Sequence, residues 1–355
     1  MEKNSRIYVA GHTGLVGSAI FRALKRHGYT NIITRTHKEA DLTEQKAVNE
    51  LFEKEKPEYV FMAAAKVGGI VINSLYPADF FYQNMMIGVN VVNASHKYGV
   101  KKLLNLASSC IYPKEVPQPM KEEYLLTSDM EKSNEGYAIA KIAVLKMCHY
   151  YHKQFGDNFI TAMPASQYGI GDNFNMQTAH LLPMTMRRMH LAKMLSENDF
   201  DGIRINFRTW PIGWGIDSSV DFSSTESLEK TCNTLGAYRD KVIAWGTGQS
   251  FREFMNSDDL ADACIFLMNN TDAKDIGEFI NLGVGADEKI ENLLLMIKDI
   301  SGFGGRLEFD PKKPDGVFRK LLDSSKMKKI GIKIERDLRQ GLADFYKYYL
   351  SCQGK

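Results

Sequence analysis

Ile7-Tyr8-Val9-Ala10-Gly11-His12-Thr13-Gly14-Leu15-Val16-Gly17 decides how this chain folds. Its first four residues are apolar and predict a buried strand. Leu15 to His27 then places Val16, Ile20, Ala23 and Leu24 on one face of a helix. Between the two, glycines 11, 14 and 17 permit a tight turn and a close approach of backbone N–H groups to a ligand. A pyrophosphate suits that place, because unpaired N–H groups and the helix dipole both favour an anion. The spacing is G-x-x-G-x-x-G rather than the commoner G-x-G-x-x-G, and a ligand-free turn is the simpler alternative. The strand before and the amphipathic helix after favour a dinucleotide.

Outward from this stretch the alternation continues. Ile32-Ile33, Tyr59 to Met62, Leu103 to Ala107 and Phe159 to Met163 read as strands. Glu44 to Lys54, Phe80 to Tyr98 and Asn134 to Phe155 read as helices. Such alternation predicts an α/β fold, a doubly wound parallel sheet covered on both faces. Beyond about residue 175 the rhythm breaks. Gly202 to Gly215 is rich in Gly, Pro and Trp, and Ser218 to Thr225 in Ser and Thr. An inserted loop region over 195–241 is therefore expected before the strand Val242-Ile243-Ala244-Trp245. The expected division is a Rossmann domain at 1–175, to which parts of 240–285 return, and a smaller α/β substrate-binding part at 176–355.

The 355 residues suggest one large domain or two modest ones, at roughly 150 residues each. With 44% hydrophobic and 25% charged residues, the composition excludes a disordered tail and a small staple-dependent scaffold. Lys plus Arg is 45 against 43 Asp plus Glu, a net +2 that calls for neither nucleic acid nor an anionic membrane. The longest apolar run, Tyr59 to Ala65, is far shorter than the ~20 residues of a membrane span. Met1 to Arg6 is polar, with no signal-peptide apolar region behind it. Cys110, Cys148, Cys232, Cys264 and Cys352 show no paired spacing, so no disulfide framework and no metal site are expected, and a reduced, cytoplasmic protein is. Pro311 to Arg339 holds ten Lys or Arg against four Asp or Glu. That run is either a solvated face or a seat for an anionic substrate group.

A pocket for NAD places an acid on the ribose after the second strand. Here the residues are Arg35-Thr36-His37-Lys38. Positive charge is available for a 2′-phosphate, which points to NADP, and Asp41-Leu42 could face the adenine. Tyr137 and Lys141 lie four residues apart, on one helix face. A phenol has an ordinary pKa of about 10, and a nearby ammonium favours the phenolate. Bringing that value near neutrality takes about 4 kcal/mol of differential stabilisation. Alone, two such residues are more often ordinary helix surface. Ser108, however, follows the fourth strand, at the carboxyl end of a parallel sheet, where doubly wound folds bind ligands. Its hydroxyl can bond a carbonyl oxygen while Tyr137 gives that oxygen a proton and a hydride attacks the carbon. Glycine loop, Ser108, Tyr137 and Lys141 in this order resemble a short-chain dehydrogenase/reductase of the extended type.

A narrower resemblance rests on longer blocks. Gly11-His12-x-Gly14-x-Val16-Gly17-Ser18-Ala19-Ile20, Ala63-Ala64-Ala65-Lys66-Val67-Gly68-Gly69-Ile70 and Ser108-Ser109-Cys110-Ile111-Tyr112-Pro113-Lys114 resemble the GDP-L-fucose synthase family. So do Tyr82-Gln83-Asn84-Met85-Met86, Tyr137 to Ala143, Trp245-Gly246-x-Gly248, Arg252-Glu253-Phe254 and Lys313-Pro314-Asp315-Gly316. The resemblance implies NADPH-dependent reduction of the C4 ketone of a GDP-linked 4-keto-6-deoxy sugar, after epimerisation at C3 and C5. It implies Cys110 and His180 as the acid/base pair for epimerisation. A buried small hydrophobe and a satisfied core histidine are the plainer readings of those two residues. It implies Gly11, Thr13, Gly14, Leu15, Val16, Gly17, Ala63, Ala64, Ala65, Leu106, Pro164, Ser166 and His180 around the cofactor. Ser109, Arg188, Trp245, Arg252, Asp315 and Lys320 would hold the GDP-sugar, and a homodimer is expected.

Three departures bear on the sugar and the cofactor. The family's Asn-Leu-Tyr-Gly-Pro segment reads Ser166-Gln167-Tyr168-Gly169-Ile170. Thr13 and His37 replace two arginines associated with the 2′-phosphate, leaving Arg35 and Lys38. The insertion lies next to the substrate-binding half. A C4 ketoreductase of a GDP-4-keto-6-deoxy hexose or heptose, serving surface polysaccharide, is therefore expected ahead of the bifunctional synthase. A nucleotide-sugar dehydratase lacks support, because Ser109-Cys110 stands where it needs an acid pair. A non-catalytic NADP sensor would have no use for Ser108, Tyr137 and Lys141.

Overall fold

The computed structural model describes residues 1–313 and 315–354, without the side chains of Ile70 and Val71. Pro314, in the block Lys313 to Gly316, and the side chain of Ile70, which ends the block begun at Ala63, lie outside the described residues. The chain forms two compact units: Met1–Gln167 with Glu253–Ala286 and Lys320–Glu335, and Tyr168–Arg252 with Asp287–Arg319 and Arg336–Lys355.

In the first unit, strands β1 (Ile7–Ala10), β2 (Ile32–Ile33), β3 (Tyr59–Met62), β4 (Lys102–Leu106) and β5 (Phe159–Pro164) alternate with helices. These are α1 (Leu15–Arg26), α2 (Gln45–Glu55), α3 (Ile70–Leu75), α4 (Pro77–Lys97) and α5 (Glu135–Phe155). With Ile280–Leu282 the strands make a six-stranded sheet in the order Ile280–Leu282, β5, β4, β3, β1, β2, and the pairings are parallel. All four residues of β1 and all five of β4 are buried, as strands covered on both faces require. One face packs Ile20, Leu24 and Leu145, the other Val48, Phe52 and Val91. The chain leaves β1 toward β2 on one side and lays β3 on the other, so the strand order reverses beside β1. Ligands of open α/β sheets bind outside the carboxyl ends of strands at such a point.

Two polar ties hold this frame, the first of them buried. Lys102 Nζ donates to the carbonyls of Leu267 at 2.8 Å, Met268 at 3.1 Å and Thr271, closing the C-terminal end of helix Ser257–Asn270. A cation there meets the negative end of the helix dipole, and burial lowers the lysine's pKa. Arg22 donates to Asp258 at 2.7 Å and joins α1 to the start of the same helix.

The second unit is built on α6 (Leu181–Ser196), most of which is buried. The segment expected to be loop is largely helical. It contains α7 (Phe200–Thr209) and α8 (Thr225–Thr234). Asp199 caps the first, accepting from the Gly202 N–H at 2.8 Å, and Ser224 caps the second, accepting from Ser227 at 3.2 Å. Arg187, fully buried, stitches this insertion to α6. It donates to Asn206 Oδ1 at 2.9 Å and to the carbonyls of Phe174, Trp210 and Pro211 at 2.7–2.8 Å. Strand Lys241–Trp245 pairs in parallel with Arg306–Asp310.

Much of the basic run after Pro311 is structural rather than free for a ligand. Lys326 donates to the carbonyls of Ile276 and, at 2.9 Å, Phe279, while Arg319 pairs with Asp287 at 2.6 Å. Residues 320–335, expected with the C-terminal half, belong to the first unit.

Candidate active site

At the end of β1, Gly11 adopts φ +80°, and a Cβ there would come within 2.7 Å of the Ala64 Cα. A Cβ on Gly17 would lie 2.0 Å from the Gly11 carbonyl oxygen. The loop is thus drawn flush against Ala63–Ala65, beyond β3, and only glycine fits at both places. Gly14 caps α1 without a side-chain bond, and the first turn, which begins with Leu15 and Val16, holds no acid. His12 Nδ1 is buried with no hydrogen-bond partner among the described residues. A helix N-terminus without a side-chain cap, a cradle closed to any Cβ and an orphaned ring nitrogen fit a dinucleotide pyrophosphate.

The residues expected at the 2′-phosphate differ in their freedom. Arg35 pairs with Glu55 and donates to the Thr34 carbonyl at 2.6 Å. His37 faces Asp41 at 3.5 Å, and Asp41 also accepts from the Thr43 N–H and hydroxyl at 2.9 and 2.8 Å. Lys38 is exposed and carries no partner among the described residues. Leu42 is buried in the core, Pro164 ends β5 opposite Leu282, and Ser166 begins the short strand that follows.

Ser108, Cys110, Tyr137 and Lys141 meet at the carboxyl end of β4. Lys141, buried on α5, donates to the Leu106 carbonyl at 2.9 Å, and its Nζ stands 5.9 Å from the Tyr137 ring centroid. Two positions after Ser108, Cys110 would point the same way as Ser108 if the backbone ran on as an extended strand, and it does not. Ser109–Ile111 is a 3₁₀ turn capped by the Ser108 side chain. That turn, not a strand repeat, brings the Cys110 thiol to donate to Ser108 Oγ at 3.0 Å. Ser109 is buried within it.

The ionisation of the pair departs from expectation. Tyr137 keeps some accessible surface, yet burial dominates and raises its phenol above the ordinary value. The Cys110 charge adds to the rise, and the Ser108 hydroxyl opposes it. Burial likewise brings the Lys141 ammonium down to about 8. Desolvation is the largest cause of both shifts, because the ring and the amine are enclosed together.

In the second unit, His180 is exposed at the N-cap of α6. Trp245 ends its strand with two cations beside its ring, Arg188 at 5.8 Å and Lys313 at 5.4 Å. Asp315 accepts from the Thr247 N–H at 2.7 Å and hydroxyl at 2.8 Å, tethering the turn after Trp245. Arg252 Nη2 reaches the Asp315 carbonyl at 3.3 Å. Lys320 falls in the first unit. Lys313 beside Trp245 was not singled out from the sequence, although it stands in a quoted block.

Residues 7–204 and 224–283 match the NAD dependent epimerase/dehydratase family. GDP-L-fucose synthase 1 of Arabidopsis thaliana is 44% identical over 349 residues, covering 98% of this chain and 94% of that one. The chain belongs to the GDP-L-fucose synthase family. Among solved structures, a GDP-6-OMe-4-keto-L-xylo-heptose reductase from C. jejuni is 38% identical, covers 99% of both chains and superposes with a TM-score of 0.92. A GDP-mannoheptose C4 reductase from Campylobacter jejuni with NADP bound is also 38% identical over 99% of both chains, with a TM-score of 0.86. Among the described residues there is no cluster able to hold a metal ion and no helix long and apolar enough to cross a membrane.

The enclosure of Lys141 has a titration signature. Its folded pKa of about 8 lies below the ordinary 10.4 or so of a lysine. The buried ammonium therefore costs stability, fully below pH ~8, and the cost vanishes as pH rises past ~10.4. In ¹³C-labelled protein without ligand, the Lys141 Cε resonance is expected to titrate near pH 8, well below the exposed lysines. A Lys141 midpoint at or above pH 10, in a spectrum assigned with Lys141→Arg, would contradict this account.

Proposed function

We propose that this protein is an NADPH-dependent C4 ketoreductase of a GDP-4-keto-6-deoxy sugar, hexose or heptose. Its product class is a sugar donor for surface polysaccharide. The observation that carries the proposal is the meeting of Ser108, Tyr137 and Lys141 at the carboxyl end of β4, in the same unit as the glycine loop. Support comes also from the reductases of GDP-linked keto-heptoses that the chain resembles over nearly its full length.

NADPH supplies the hydride for the ketone carbon. The chain's own residues handle the oxygen and the proton. Ser108 Oγ accepts from the Cys110 thiol, which leaves its own proton to donate to the carbonyl oxygen. Tyr137 gives the proton that turns the reduced oxygen into a hydroxyl. An alkoxide is a far stronger base than a phenolate, so a phenol raised by burial still protonates it. Lys141, held by the Leu106 carbonyl, carries the charge that favours the resulting phenolate. A phenol near neutrality is needed only for the reverse oxidation. Arg35 and Lys38 stand after β2 for the 2′-phosphate, and among the described residues Lys38 has no ion pair to give up.

Two measurements test this. Tyr137→Phe should lower kcat for reduction of a GDP-4-keto-6-deoxy sugar about 10²- to 10⁴-fold, the usual contribution of a positioned proton donor, with NADPH affinity nearly unchanged. Near-normal turnover in that variant would remove Tyr137 from its role.

The bifunctional synthase is the second reading, favoured by the presence of Cys110 beside Ser108. Proton abstraction at C3 and C5 needs each base within about 3 Å of its proton. Here the thiol is engaged as a donor to Ser108, and Ser166 and Ile170 change the family's sugar-side segment. Reduction is therefore the main activity. In D₂O without NADPH, a GDP-4-keto sugar should gain little deuterium at C3 and C5. Rapid uptake that disappears in Cys110→Ser would put the synthase first.

A further inference from the structure

A cavity of about 410 Å³ opens within the second unit. Arg188, Trp245 and Lys313 form one part of its wall. Trp214, Asn233 and Tyr238, all from the insertion, form another. Two features of this wall lack an explanation in the fold. Arg188 is buried, and its Nε has no hydrogen-bond partner among the described residues. A buried guanidinium left with an unmet donor is costly, so the cavity calls for an anion. Burial already brings that guanidinium down to about 10. Lys313, on the same indole as Arg188, adds a second positive charge.

The other feature is the backbone at Trp214. It takes φ +51°, between Gly213 at +90° and Gly215 at +73°, a left-handed conformation that a bulky residue rarely adopts. The turn is held there on purpose-built bonds. The Ile212 and Gly213 N–H groups donate to the two Asp217 carboxylate oxygens at 2.7 and 2.8 Å, and the Trp214 N–H donates to Gln177 Oε1 at 2.8 Å. What this arrangement delivers is an indole 44% exposed, at the cavity. Strain that the surroundings over-determine points to a function for the residue that bears it. Trp214 and its turn lie in 205–223, the stretch between the two segments that match the family.

We propose that the insertion reads the nucleoside end of the GDP-sugar, with the Trp214 indole against the flat face of the purine while Arg188 and Lys313 take the charge of the diphosphate. This rests on the GDP-sugar reading above and goes beyond it by assigning the insertion a role in specificity. Asn233 and Tyr238 add an amide and a phenol that no described residue satisfies, suited to the polar edge of a base.

Calorimetric titration of the full chain with GDP tests the proposal, with Trp214→Ala, Trp214→Phe and Gln177→Ala beside the wild type. Stacking of a base on an aromatic ring is strong enough that Trp214→Ala should raise the Kd for GDP about 10-fold or more. Trp214→Phe should restore most of the affinity. Gln177→Ala, which frees the turn but keeps the indole, should fall between. KM for the GDP-sugar should rise in parallel, with kcat and the Kd for NADPH held within about twofold. GDP binding by Trp214→Ala equal to the wild type would overturn this proposal alone, and so would a loss that Trp214→Phe does not recover. A wild-type protein that binds NADPH but not GDP would overturn the GDP-sugar reading as well.

Discussion

The hydrogen bond from Lys141 Nζ to the Leu106 carbonyl, 2.9 Å long, spans the gap between helix α5 and the end of β4. A helix lying on a sheet can rotate about its axis, and this bond sets the rotation. The residue one turn earlier, Tyr137, then faces the end of β4 and the Ser108 that follows it. The bond needs α5 close to its neighbours. At its crossing with α4, a Cβ on Gly88 would stand 2.1 Å from a Val144 methyl. It also needs the ammonium enclosed, which is why Lys141 is lowered to about 8 and the phenol beside it is raised. One contact thus decides both where the candidate proton donor sits and how readily it ionises.

Buried cations elsewhere separate scaffolding from ligand binding. Lys102 and Arg187 are saturated by backbone carbonyls and, for Arg187, the Asn206 amide. They hold a helix end and the insertion. Arg188 follows Arg187 in the chain, is equally enclosed and is lowered to the same value of about 10, yet its Nε has no partner. Burying a charge is tolerated when its donors are met. Arg187 meets them with the protein, and Arg188 faces a cavity in which an anion would meet them.

The Rossmann half was legible because its signals are local and repeated. Buried β1 and β3–β5 are short, mostly apolar runs, and glycines 11 and 17 stand where a Cβ would clash with backbone. Helix periodicity placed Tyr137 and Lys141 on one face. What the chain alone did not show depends on contacts distant in sequence. The 3₁₀ turn at Ser109–Ile111 replaces an extended strand end, and no local pattern marks it. The insertion looked like loop because Gly, Pro, Ser and Thr dominate its connecting segments. Asp199 and Ser224 were helix-start signals that this composition obscured. The ion pair of Arg35 with Glu55, twenty residues on, is likewise a contact that no local pattern marks. A phenol one turn from an ammonium reads as lowered, but the desolvation that raises it depends on enclosure by residues distant in the chain.

The central claim is that this chain delivers a hydride to C4 of a GDP-linked 4-keto-6-deoxy sugar and a proton to the oxygen there. Its most direct test is reduction of such a sugar with NADPH deuterated at the transferred position, followed by NMR of the product. The account predicts one deuterium, on C4, in a single configuration, with stoichiometric oxidation of the cofactor. Product without deuterium at C4, or no consumption of NADPH with any GDP-4-keto-6-deoxy hexose or heptose, would contradict it.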